Sequence, residues 1–334
     1  MHIKEVQMNR PNLFSFATSE LSQDAFVCWL LSWSAPEYKE IDSKLNQCAI
    51  QLIQALFKKH EKEAPKIISN VEVSKQDSNI DILCIVNDSY VILIEDKIGT
   101  KNHSDQLARY LKEVKNRGYK DEYILPIYYK TEDQGDYSEI INAGYQTFLR
   151  DDILQILNEY NGENSIILDY REHLQSVSDN VASYQSLPID KWNWYSWIGF
   201  YLRLQRELGD GNWDYVPNPS GGFLGYWWHF QGDEECEQYL QLEEDKLCFK
   251  VWVSESHRRR ELRTKWHERI KEKARKNGIP VKKPSRFGNG QYMTVCIYEG
   301  DYRKTNDDNV IDITSTVKLL KKAESLLESV YESA

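Results

Sequence analysis

Ile80-Asp81-Ile82-Leu83-Cys84-Ile85-Val86, then Asn87-Asp88-Ser89, then Tyr90-Val91-Ile92-Leu93-Ile94-Glu95-Asp96-Lys97 is the stretch that decides the fold of this chain. Two apolar runs of strand length flank three residues of turn composition, which reads as a β-hairpin. Pairing Val86 with Tyr90 across the turn sets Asp81 opposite Glu95. Strand side chains alternate faces, so Glu95 and Lys97 point the same way, about 6.5 Å apart. Charge at the end of a buried-type strand carries a desolvation cost, so its presence needs a reason. The hairpin gathers two carboxylates and an ammonium, a cluster that suits a hard divalent cation and an attacking water.

Working outward, residues 19–33 read as a helix, with Phe26, Trp29, Leu30 and Trp33 on one stripe. A second helix is expected over 43–63 and a first strand over 67–74. After the hairpin, an amphipathic helix is expected over 103–117, with Gly118 as its C′ residue. A strand over 122–129 and a helix over 151–160 follow. The order is an α/β sandwich of roughly 170 residues, which fits the usual size of one domain. The polar segment 176–188 is read as the boundary, giving domains 1–180 and 186–334. The second half reads as α+β with antiparallel strands. It has an aromatic helix over 192–208, a loop over 209–222, strands over 223–230, 238–242 and 247–253, a basic helix over 258–277, a strand over 291–298 and a last helix over 315–331.

The chain has 334 residues, 41% of them apolar, enough for two cores. No apolar run approaches a membrane span and no signal-peptide pattern opens the chain. The six cysteines are scattered without a Cys-x-x-Cys pair, which points to reduced thiols in a cytoplasmic protein and away from a zinc site. The net charge of −10 argues against indiscriminate nucleic-acid binding. The charge is uneven, though: residues 257–286 hold 13 Lys/Arg against 3 Glu. Arg258, Arg259, Arg260, Arg263, Lys271 and Arg275 form a candidate phosphate-contact stripe. The plainer reading of that helix is a solvated face. Eight of the ten tryptophans fall between Trp192 and Trp266. Packing is the stronger explanation for them, and base stacking the weaker.

Glu-x-Lys occurs four times in the chain, so position must separate the copies. Glu113-Val114-Lys115 lies in a helix, Glu37-Tyr38-Lys39 follows a helix end, and Glu244-Asp245-Lys246 sits in a turn. Glu95-Asp96-Lys97 alone ends a buried-type strand with an acid opposite. Two further residues join by topology. Glu20 opens the first helix, where an acid also favours the macrodipole. Gln106 lies at the start of the helix after the hairpin, where a solvent-facing polar residue is the ordinary expectation.

With those residues in view, the chain resembles the PD-(D/E)XK nuclease superfamily, the restriction-endonuclease-like fold. Asp81, thirteen residues and then Glu95-Asp96-Lys97 match its motif, within an αβββαβ order that places Gln106-Leu107 after the hairpin. Glu20-Leu21-Ser22-Gln23-Asp24-Ala25-Phe26 resembles the opening helix of bacterial members. The likeness covers about residues 10–160 and does not reach the C-terminal domain. Ile80 stands where the family name has proline. The resemblance implies Mg²⁺ or Mn²⁺ on Asp81 and Glu95, with the Asp96 carbonyl as a further oxygen. It implies Lys97 as the group that positions or deprotonates water, Glu20 as an added ligand and Gln106 as an orienting residue. The implied reaction is phosphodiester hydrolysis, in DNA ahead of RNA, for restriction, repair or defence. A nuclease fold used only to bind nucleic acid or protein is the second reading, and hydrolysis of small phosphorylated compounds the third. The C-terminal domain is expected to contact phosphates or, failing that, to serve a homodimer or partner docking.

Overall fold

The computed structural model describes residues 10–100, 105–218, 221–232 and 234–331. The chain divides into two compact units, one of residues 1–133 with 137–179, the other of 134–136 with 180–334.

In the first unit, helices α1 (Glu20–Ser32) and α2 (Ser43–Lys59) precede strands β1 (Val71–Asp77), β2 (Ile80–Val86) and β3 (Tyr90–Lys97). Then come α3 (Gln106–Asn116), β4 (Ile124–Lys130), α4 (Ser138–Asn142), β5 (Gln146–Leu149), α5 (Arg150–Glu159) and α6 (Ser165–Ala182). The expected start of α3 at His103 lies outside the described residues. The five strands stand in the order β1-β2-β3-β4-β5. β1, β2 and β3 are antiparallel, while β3, β4 and β5 run parallel through the α3 and α4 crossovers. β3 is therefore the central strand, and its unbroken apolar run is what burial on both faces demands.

The hairpin register is the expected one, from Val86↔Tyr90 to Ile82↔Ile94. Asn87 and Asp88 both have φ above +50°, the left-handed central pair of a turn closed by the Ser89 amide donating to the Val86 carbonyl. Strand alternation sorts β3 between two cores. Ile92 and Ile94 face α1, α2 and α5, whereas Val91 and Leu93 face α3 and α4. Gly118 ends α3 in the left-handed conformation.

Two expectations need correction, and two are extended. The first strand begins at Val71 rather than Ile67. Asn87 Oδ1 accepts from the Ser69 and Asn70 amides and its Nδ2 donates to the Ile67 carbonyl, which holds 67–70 off the sheet. The expected loop 209–222 contains a strand, Asn212–Val216, pinned by the burial of Trp213. β5, α4 and α6 add to the αβββαβ order. α6, with its buried stripe of Ile167, Tyr170 and Leu174, extends into segment 176–188, and the contact-based division into units falls within that segment at 179/180.

The second unit holds α7 (Trp194–Leu208), β6 (Asn212–Val216), β7 (Phe223–Gly232), β8 (Cys236–Glu243), β9 (Lys246–Val253), α8 (Arg259–Lys276), β10 (Val281–Lys282), β11 (Tyr292–Tyr298) and α9 (Ile313–Tyr331). Its antiparallel sheet has the order β10-β11-β9-β8-β7-β6. The three helices cover one face around Trp228, Phe249 and Leu320. Gly199 lets α7 approach the chain at Val181 closely, since a Cβ there would meet the Val181 carbonyl oxygen at 1.9 Å. All six cysteines are free thiols, and no helix among the described residues is long and apolar enough to cross a membrane.

Candidate active site

The charged end of β3 is buried: Glu95 is 0%, Asp96 1% and Lys97 7% exposed. Alternation sends Glu95 and Lys97 toward α3 and Asp96 toward α1. Lys97 Nζ lies 2.6 Å from Glu95 Oε1, 3.9 Å from Asp81 Oδ2 and 3.8 Å from Glu20 Oε2. It also donates to the Asp96 carbonyl at 2.8 Å. Three carboxylates from α1, β2 and β3 thus converge on one ammonium.

Backbone donors fix two of those carboxylates. Asp81 Oδ2 accepts from the Asp96 amide at 3.0 Å, just past the last ladder pair of the hairpin. Glu20 Oε1 accepts from the Ile98 amide at 3.3 Å and from Thr100 Oγ1 at 2.5 Å. Gln106 Nε2 donates to Glu95 Oε1 at 2.8 Å and to Tyr110 Oη at 3.0 Å. Gln106 is therefore a contact of the cluster rather than a solvent-facing residue. Tyr110, one helical turn on, was not anticipated, although the i, i+4 spacing marks it.

The Asp81 and Glu95 carboxyl groups lie within hydrogen-bonding reach of each other. Burial, then Asp81, pushes Glu95 up to about 8. Burial alone would lower the Lys97 ammonium, but Glu95, Asp81 and Glu20 outweigh it and hold it above the ordinary lysine value. Burial raises Glu95, and the Lys97 ammonium against it opposes that rise.

The opposite face of β3 carries a second buried network, absent from the sequence reading. Gln23 Nε2 donates to Asp96 Oδ1 at 2.5 Å and to the Lys97 carbonyl at 3.3 Å. Gln23 Oε1 accepts from Thr131 Oγ1 at 2.8 Å and from Tyr170 Oη at 3.2 Å. Asp24 lies beside Asp96 on this face, and Asp24 Oδ1 and Asp96 Oδ2 are buried with no hydrogen-bond donor among the described residues. Burial raises both, Asp24 to about 6 and Asp96 well above the carboxylate range. Lys130, at the end of β4, donates to the Thr100 carbonyl at 2.6 Å. Its place at the end of an apolar run was the only signal for it.

Glu95 Oε2 is buried and accepts from no N–H or O–H donor among the described residues. It sits in an all-oxygen set with Asp81, and such a facing pair is held together by a proton or a cation. Among the described residues no three Asp, Glu, His or Cys side chains already stand in a chelating cluster, and Lys97 occupies Glu95. Two carboxylates with water completing the shell satisfy Mg²⁺ or Mn²⁺, so the donor set fits. Of Asp96, only the carbonyl is on this side of the strand.

A family model described as the PD-(D/E)XK nuclease superfamily matches residues 11–194. The chain belongs to the PD-(D/E)XK nuclease superfamily. The match spans more than half of the chain and takes in both faces of β3. No curated protein and no solved structure gives a significant match. Membership assigns the first unit a nuclease-type function, in a superfamily that generally works with divalent metals.

In the second unit, half of the expected phosphate stripe is committed to the protein itself. Arg258 pairs with Glu235. Arg259 donates to the Val253 and Ser254 carbonyls at 3.3 and 3.2 Å. Arg263 donates to the Gly288 carbonyl at 2.5 Å and lies 4.8 Å from the Phe287 ring centroid. Arg260, Lys271 and Arg275 are exposed and make no ion pair among the described residues.

Proposed function

We propose that the first unit hydrolyses phosphodiester bonds with a divalent cation, Mg²⁺ or Mn²⁺, and that its substrate is DNA ahead of RNA. The observation that carries this reading is the Asp81–Glu95 pair, half-buried at Asp81 and fully buried at Glu95, with the Lys97 ammonium against it. Asp81 and Glu95 would hold the cation, with the Asp96 carbonyl as a further oxygen donor. A bound cation supplies charge stabilisation at the phosphoryl oxygens and acidifies water. Lys97 then orients the attacking water and offsets charge on the phosphate. Glu20 holds Lys97 from the α1 side, or takes the cation through water. Gln106 fixes the Glu95 carboxylate from α3.

The work fits restriction, repair or defence in the cytoplasm. In this proposal residues 1–180 carry catalysis. Residues 186–334 engage nucleic acid through the basic helix, with a homodimer or a docked partner as the other use. The second reading, a nuclease fold that binds without cutting, draws support from Lys97 already occupying Glu95. The two separate in one experiment: cleavage of a panel of nucleic acids with Mg²⁺, Mn²⁺ or EDTA, for wild type, Lys97→Ala and Asp81→Asn. Loss of cleavage by at least about a hundredfold in both folded variants supports catalysis. Equal cleavage by wild type and Lys97→Ala rejects the assignment, and an inert wild type that still binds selects the second reading.

A further inference from the structure

Two large grooves flank the turn at Ile279 in the second unit, and their charges differ. One, about 680 Å³, carries Glu268, Glu272 and Glu299 against Arg269, Lys271 and Arg275, and is balanced. The other, about 660 Å³, runs along α9 and carries Lys318, Lys321 and Lys322 with no acid in its lining. All three lysines are exposed and make no ion pair among the described residues. Asn277 and Ser325 add hydrogen-bonding groups to its walls, over an apolar floor of Val317 and Leu326.

Three uncompensated ammonium groups on one face repel one another, and in a chain of net charge −10 counter-charge is plentiful elsewhere. Their bunching on one groove is relieved by a polyanion. Lys318 and Lys322 lie one turn apart, about 6 Å along the axis, with Lys321 beside them. A nucleic-acid strand places a phosphate about every 3.4 Å of its axis, so the groove spans about two successive phosphates. Its volume exceeds what a lone inorganic anion fills. We infer that the α9 groove is a docking track for the sugar–phosphate backbone of a nucleic acid. The inference rests on the nuclease reading for the identity of the polyanion. It adds α9 to the exposed Arg260, Lys271 and Arg275 of the basic helix, in which Arg259 and Arg263 are committed to backbone carbonyls.

The test uses the full chain and the variant Lys318→Ala/Lys321→Ala/Lys322→Ala. Alanine favours helix at these exposed positions, so α9 persists, and a thermal melt checks it. Binding of fluorescein-labelled single- and double-stranded oligonucleotides is titrated in EDTA against salt concentration. Hydrolysis of bis(4-nitrophenyl) phosphate with Mn²⁺ is followed in parallel. The expected result is a log–log salt slope reduced by about 2 and at least about tenfold weaker binding, with unchanged hydrolysis of the small diester. An unchanged slope and affinity, in a protein whose wild type binds and cleaves nucleic acid, overturns the docking track and leaves the nuclease reading intact. A wild type that neither binds oligonucleotides nor hydrolyses the diester overturns both. Poly-glutamate competing as well as an oligonucleotide of equal charge overturns the nucleic-acid assignment in favour of an acidic protein.

Discussion

Replacing Gln23 with leucine removes every hydrogen bond of that side chain while keeping its bulk. Gln23 is 4% exposed, so water does not substitute for what is lost. Four bonds disappear, but not all leave orphans. The Lys97 carbonyl keeps the Thr131 amide at 3.3 Å, and Tyr170 Oη keeps Tyr129 Oη at 2.8 Å. Asp96 Oδ1 and Thr131 Oγ1 are left without those partners. A buried polar group so stranded costs about 1–3 kcal/mol, and more when charged, so Gln23→Leu is expected to cost about 3–5 kcal/mol. At about 2–4 °C per kcal/mol for a unit of this size, the first transition drops by roughly 6–20 °C. Because two compact units complicate a global melt, hydrogen exchange over β3 is the cleaner assay. Protection at the Asp96 and Ile98 amides should fall, and the turnover number should fall with little change in KM, since Gln23 reaches the site through the Lys97 backbone. A cost below about 1 kcal/mol with β3 protection intact would show that Gln23 does not hold β3 through these bonds.

Saturating Mn²⁺ should stabilise the wild type by about 2.7 kcal/mol at a hundredfold excess over Kd, read as a thermal shift that Asp81→Asn abolishes. His60 and His173 are both held below the ordinary histidine value by burial. The unfolded chain therefore takes up protons first, so their contribution is complete above about pH 6.5 and is lost as pH falls below it. His60→Gln/His173→Gln should flatten that acid-side loss in urea titrations. The raised acids Asp24 and Glu95 act with the opposite sign, so only the difference between wild type and variant isolates the histidines. Asn87→Ala should cost about 1–3 kcal/mol by urea denaturation, from its stranded partners and its left-handed backbone.

The hairpin from Ile80 to Lys97 was legible because three independent signals agree there. A central strand demands apolar residues on both faces, the turn demands residues that accept positive φ, and the register follows from both. Asn212–Val216 was hidden because an edge strand needs little burial, and Trp213 alone is buried in it. β5 is four residues long and bounded by helices, below the length at which alternation is readable. The committed arginines of α8 were invisible for another reason. Arg259 and Arg263 bond the carbonyls of Val253, Ser254 and Gly288, and a backbone acceptor leaves no trace in residue type.

The same distinction separates the two faces of β3. Glu95 and Lys97 meet each other within one strand and meet Asp81 through a hairpin, so local periodicity was enough to bring them together. Asp96 meets Gln23 and Asp24 across 73 and 72 positions of sequence, through the packing of α1 on the sheet, which no local pattern encodes. Alternation nevertheless implies that a charged residue between Glu95 and Lys97 must face the other core. Burial at 1% exposure then implies a partner, since an unpaired carboxylate there would cost several kcal/mol. The Gln23–Asp96–Asp24 network answers that requirement, and its bond to the Lys97 carbonyl ties it to the chemistry on the front of the strand.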